Sequence, residues 1–98
     1  MKNGCIVEFD GSKYWYKDGE RHREDGPAVE WLNGDKYWYR DGKQHREDGP
    51  AIEWKEGSTK WYLNGELLGS NDKGFWALWD QLTPEQRGNP NLLRWLPR

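Results

Sequence analysis

The sequence predicts a mainly β fold: a single antiparallel meander sheet built from 23-residue repeats and covered by a short helical segment at the C-terminal end. Three observations predict it. The stretch YWYKDGERHREDGPAVEW, Tyr14 to Trp31, returns as YWYRDGKQHREDGPAIEW, Tyr37 to Trp54, and a partial copy begins at Lys60. The step of 23 residues is kept without a gap, as Trp15, Trp38 and Trp61 mark. A fixed period in this range denotes stacked units that cannot bury an apolar face alone. Second, Asp-Gly or Asn-Gly pairs recur between short β-prone runs, the strongest local hairpin signal. Third, from Ser70 onward the apolar period changes from two to helical spacing.

Taken in order, Ile6 to Phe9 reads as a first strand, closed by Asp10-Gly11. Lys13-Tyr14-Trp15-Tyr16 is β-prone through its aromatics, with the tyrosines on one face and Trp15 on the other. Asp18-Gly19 turns the chain into a polar return, Glu20 to Arg23. Glu24-Asp25-Gly26-Pro27 turns it again, because proline lacks an N–H and biases Gly26 away from helix. Ala28 to Trp31 forms the next strand and Asn33-Gly34 the next turn. The second copy repeats the scheme through Asp41-Gly42, Glu47 to Pro50 and Ala51 to Trp54. Before the first full copy, ahead of residue 14, Val7-Glu8-Phe9 echoes Val29-Glu30-Trp31 one residue out of register. Residues 1–69 thus hold a half-unit, two full units and a half-unit.

The third copy replaces the charged return with Glu66-Leu67-Leu68, apolar surface that the following segment is expected to cover. Phe75, Trp76, Leu78, Trp79 and Leu82 recur at helical spacing, so 73–82 is an amphipathic helix, with Ser70, Asn71 or Asp72 as its cap. Thr83-Pro84-Glu85-Gln86 carries an N-cap threonine, proline at the first helical position and glutamine three residues on. Asn89-Pro90 opens a last turn. Residues 70–98 are read as a helical cap sealing the array, which repeat proteins need at their ends.

The run from Trp38 to His45, Trp-x-x-Asp-Gly-Lys-x-His, followed by a glycine-containing strand and a further turn, resembles the MORN repeat, which shares the 23-residue period. The likeness covers about residues 6–69. It departs at His-Arg-Glu-Asp-Gly-Pro-Ala, where a typical unit has histidine-glycine, and at Tyr37-Trp38-Tyr39, which has no glycine. The resemblance implies a curved antiparallel sheet with a groove, often closed by a C-terminal helix, and no catalytic residues. Divergent variants in bacteria include antitoxin-like proteins, so it also implies an inhibitor or antitoxin role against a bacterial or phage-defence protein.

Composition narrows the classes further. Fifteen Lys and Arg face seventeen Asp and Glu, for a net charge of −2, with both signs interleaved. That is not the footprint of a nucleic-acid binder or a polybasic membrane patch. No run approaches the length of a membrane helix. The stretch MKNGCIVEFDG has no apolar core, so no signal peptide is expected. The single cysteine, Cys5, cannot form an internal disulfide, and a cytoplasmic setting is expected. Eight tryptophans, five tyrosines and two phenylalanines stand where aliphatic residues are scarce. Aromatics are therefore expected to supply the core.

The repeated His-Arg-Glu-Asp, at 22–25 and 45–48, sets a histidine beside carboxylates and invites an acid–base or metal reading. Duplication favours a turn instead: identical copies give identical environments, whereas catalysis separates them. On the turn reading Asp25 and Asp48 bond the following backbone, and Arg23 reaches Glu47 in the next unit. No phosphate loop, HExxH, CxxC or GxSxG is present. No catalytic residue, metal ligand or cofactor is expected.

One face should lie under the helix, leaving the other as an aromatic ladder flanked by arginines, the composition of a protein-interaction hot spot. The partner-binding candidates are Trp15, Trp38, Trp61, Arg21, Arg23, Arg40, His45 and Arg46. The expected function is a non-enzymatic module that binds another protein through the exposed face and the loops 18–26 and 41–49. The alternative is a small-molecule binder holding a nucleotide or sugar in an aromatic-lined groove. The open first strand also allows two copies to pair as a homodimer.

Overall fold

In a computed structural model describing residues 2–98, ten short strands and three helices follow one another along the chain. The strands are β1 (Gly4–Val7), β2 (Lys13–Lys17), β3 (Glu20–Arg21), β4 (Val29–Glu30), β5 (Lys36–Tyr37), β6 (Tyr39–Arg40), β7 (Lys43–Gln44), β8 (Ile52–Glu53), β9 (Thr59–Leu63) and β10 (Glu66–Ser70). The helices are α1 (Asn71–Trp79), α2 (Pro84–Arg87) and α3 (Pro90–Leu93).

Every pairing is antiparallel and the order β1-β2-β4-β5-β8-β9-β10 is a meander. Each full unit contributes one long strand and two short ones laid end to end beside it. Tyr16 on β2 pairs with Arg21 on β3, while Tyr14 on β2 pairs with Val29 on β4. Trp15 sits at the joint: its N–H donates to the Ala28 carbonyl and its carbonyl accepts from His22. Trp38 makes the same two bonds, to Ala51 and from His45, and so parts β5 from β6. The hairpin β6–β7 is stitched to its neighbours by Arg23 N–H to Tyr39 O and by Gly65 N–H to Gln44 O.

The hairpin turns follow the Asp-Gly and Asn-Gly pairs. Asp18, Asp41 and Asn64 have φ of 49°, 49° and 50°, and the glycine after each is also left-handed. This double positive φ is the turn whose twist matches that of the strands. At the opposite edge, turns 8–12, 31–35 and 54–58 close with the same bonds, for instance Glu8 N–H to Ser12 O and Trp31 N–H to Asp35 O. The half-unit at the start is therefore in register, and only its side chains are offset. The first strand runs over Gly4–Val7 rather than 6–9, because Glu8 already belongs to the turn and Phe9 projects fully into solvent.

Alternation along the strands sets Tyr14, Tyr16, Tyr37, Tyr39 and Tyr62 on one face and Trp15, Trp38 and Trp61 on the other. The helical segment covers the tryptophan face at its C-terminal end. Trp61, Phe75, Leu78, Leu82 and Leu92 form the core there, with Leu68 and Trp95 against it. Leu67 points to the other face and is half exposed. The helix is shorter than its apolar spacing predicts and ends at Trp79; Leu82 is buried from the turn that follows. Ser70 occupies the cap position of α1 without a side-chain bond, and Asn71 instead accepts from the Thr59 N–H, tying helix to sheet. Thr83 and Gln86 form the expected capping box of α2.

Candidate functional site

Between the two short strands of each unit the chain leaves the sheet. Residues 22–28 and 45–51 loop out over the tryptophan face, and each loop is fixed by its arginine. The Arg46 guanidinium lies 3.9 Å from the Trp38 ring centroid and donates to Asp48, to the Pro50 carbonyl and to Glu53 at 2.9, 3.1 and 2.9 Å. Arg23 repeats the arrangement over Trp15 at 3.9 Å, with Asp25, Pro27 and Glu30 at 3.1, 3.1 and 3.2 Å. Gly26 and Gly49 permit it, because a Cβ at Gly49 would stand 2.6 Å from Arg46 Cζ. The clamp closes within one unit, so the bridge from Arg23 to Glu47 expected from the sequence is not made. Likewise Asp25 and Asp48 accept from the arginines rather than from the following backbone. A planar fork finds three acceptors and an aromatic face within its own unit.

The histidines link units. His22 Nδ1 accepts from the Asp41 N–H at 2.9 Å, and His45 Nδ1 from the Asn64 N–H at 2.9 Å. Each ring thus holds the left-handed residue of the next unit's turn. With Nδ1 accepting, the remaining ring N–H is on Nε2, which faces Glu24 at 3.6 Å and Glu47 at 3.3 Å. Among the described residues no group of three His, Cys, Asp or Glu side chains is placed to hold a metal ion.

The two loops are the long walls of a polar groove of about 590 Å³. Asp25 and Pro27 line one side, His45, Glu47 and Asp48 the other; Trp38 and Arg40 form the floor, and Asn89, Asn91 and Arg94 close the end. Arg40 Nη1 is 3.6 Å from Glu47. Among the described residues the Arg94 side chain has no ion-pair or hydrogen-bond partner. No protein-family model, curated protein or solved structure matches the chain. Its chemistry is thus read from this geometry alone. Among the described residues no helix is long and apolar enough to cross a membrane.

The structure gathers five of the eight candidate residues, Arg23, Trp38, Arg40, His45 and Arg46, around this groove. Trp15 lies under Arg23, one unit away. Trp61 is 1% exposed beneath the helices and offers no surface. Arg21 lies on the tyrosine face, over the rings of Tyr14 and Tyr39. The three tryptophans are accordingly covered positions, each by a different neighbour, and not an open ladder. Asn89, Asn91 and Arg94 were not legible as site residues, since nothing in the periodicity of the tail says which sheet column it reaches.

Proposed function

We propose that the protein is a non-enzymatic binding module that takes a segment of another protein into the groove between its two loops. The observation that supports this is the pair of arginine-clamped walls. Loops already held rigid lose little further freedom on binding, which is where affinity is otherwise spent. The lining favours a polypeptide over a nucleotide or sugar, because small-molecule sites are mostly apolar with a few polar groups. Here charged side chains of both signs alternate, so a segment with acidic and basic residues finds partners along its length. Arg94 and Arg40 would receive its carboxylates, and Glu24 and Asp25 its cations. The inhibitor or antitoxin role implied by the MORN-like resemblance is consistent with such a module.

Quantitative affinity capture from lysate tests this. The wild-type chain should retain a protein in stoichiometric amount, and the Arg40→Glu/Arg94→Glu variant should lose it. No stoichiometric partner, or one that the variant retains equally, sinks the reading.

A further inference from the structure

The rim formed by turns 8–12, 31–35 and 54–58 carries two cavities, and the 23-residue step relates them. The first, about 410 Å³, is lined by Asp10, Ser12, Trp31, Asn33, Asp35 and Tyr37. The second, about 660 Å³, is lined by the equivalents one unit on, Asn33, Asp35, Trp54, Glu56 and Ser58. Only Tyr37 changes character, since its equivalent is Lys60. The Lys60 ammonium lies 5.7 Å from the Trp54 ring centroid. Among the described residues it makes no ion pair, so the ring is its seat. The second cavity thus carries a cation of the chain's own.

In the first, Tyr37 takes that place, 6.1 Å from Trp31 with the two rings at 78°, and brings no charge. Arg21 sits over Tyr14 and Tyr39 and does not line the cavity. Two carboxylates do. Asp10 accepts from the Ser12 N–H at 2.8 Å, and Asp35 from the Lys55 N–H at 2.7 Å and the Asn33 amide at 3.1 Å. A carboxylate has about four lone-pair sites, so both keep acceptors to spare. Among the described residues neither has an ion pair.

From this difference between equivalent sites we infer that the cavity at Trp31 binds an ammonium group from outside, the head of a lysine side chain of another polypeptide. The next unit shows the recognition within the chain itself, an ammonium over the tryptophan of the same turn. Aromatic ring faces attract cations. The first cavity lacks the internal cation and adds unpaired carboxylates that such a group would balance. An anion would meet Asp10 and Asp35 without a counter-charge, and a neutral sugar would leave that charge unbalanced. The site is separate from the groove, which lies on the other face of the sheet.

The test titrates the full chain with Nα-acetyl-lysine methylamide and follows indole and backbone N–H shifts. Trp31, Asp35 and Tyr37 should shift, with a Kd in the roughly millimolar range that one ring contact and surface carboxylates allow. The neutral Nε-acetylated probe should bind at least about tenfold more weakly. Asp10→Asn/Asp35→Asn should weaken the lysine probe by about three- to tenfold, while its amide oxygens still accept from Ser12 and Lys55. Lys60→Tyr should add a second site at Trp54 and double the stoichiometry. Arg40→Glu/Arg94→Glu should bind the probe as wild type does, which separates this site from the groove. Shift mapping on the wild type decides even if a variant fails to fold. The inference is overturned by silence at Trp31, by equal binding of the neutral probe, or by a folded Lys60→Tyr chain that gains no site. Tetramethylammonium binding as tightly as the lysine probe would also overturn it, pointing to a free quaternary amine.

Discussion

The second and third repeats cover the same tryptophan in two different ways. In the second, the Trp38 ring lies under the Arg46 guanidinium. In the third, the residue equivalent to Arg46 is Gly69, and the space above Trp61 is filled by the backbone of α1. A Cβ at Gly74 would come within 2.6 Å of both Trp61 Cγ and the Gly69 carbonyl. One covering is charged, built from a loop and repeatable. The other is apolar, built from a helix, and ends the array. The difference teaches that a repeat ring needs a lid, and that the chemistry of the lid decides whether the ring belongs to a surface or to a core. Trp61 is 1% exposed with Phe75 and Trp95 edge-on to it, whereas Trp15 and Trp38 are only partly buried.

This contrast can be broken most severely at its apolar end. Trp61→Ala should cost about 3–5 kcal/mol in a denaturant melt, the range for emptying a buried aromatic site. Trp15→Ala should cost clearly less. Gly74→Ala should follow at about 1–3 kcal/mol, since overpacking against Trp61 outweighs alanine's better helix propensity. Arg46→Met should cost about 1–3 kcal/mol by leaving Asp48, Glu53 and the Pro50 carbonyl without their donor. Arg23→Met should cost less, because its carboxylate partner Asp25 is 88% exposed and rehydrates. Arg46→Lys should restore little, a point charge being unable to fork and stack. If Trp38→Ala and Arg46→Met add fully in a double-mutant cycle, the two groups do not act as one unit. At the small end, Asn64→Gly should change stability by no more than about 0.5 kcal/mol, because glycine adopts the required φ freely.

Much of this was legible beforehand. The period located the sheet turns, the Asp-Gly and Asn-Gly pairs at 18–19, 41–42 and 64–65 gave the double left-handed turn whereas Asp10-Gly11 and Asn33-Gly34 have only the glycine left-handed, and alternation sorted Trp15, Trp38 and Trp61 from the tyrosines. What the sequence withheld were distances across the fold. Arg23 has carboxylates at hand in its own unit and in the next, and spacing alone does not choose between them. The choice rests on the joint at Trp15, where two short strands meet and the loop is thrown over the ring. Nor does spacing say which face the tail covers. That follows from Gly69 and Gly74, two small residues whose meeting over Trp61 no local pattern announces.

The end-to-end short strands have one more consequence. Because each loop leaves the sheet at a joint, and a groove needs two loops for its walls, the number of grooves is one less than the number of complete units. Duplicating residues 24–46 in tandem would lengthen the sheet and add a second cleft with the same two loop walls, but only the cleft beside the helical segment would keep Asn89, Asn91 and Arg94 at its end.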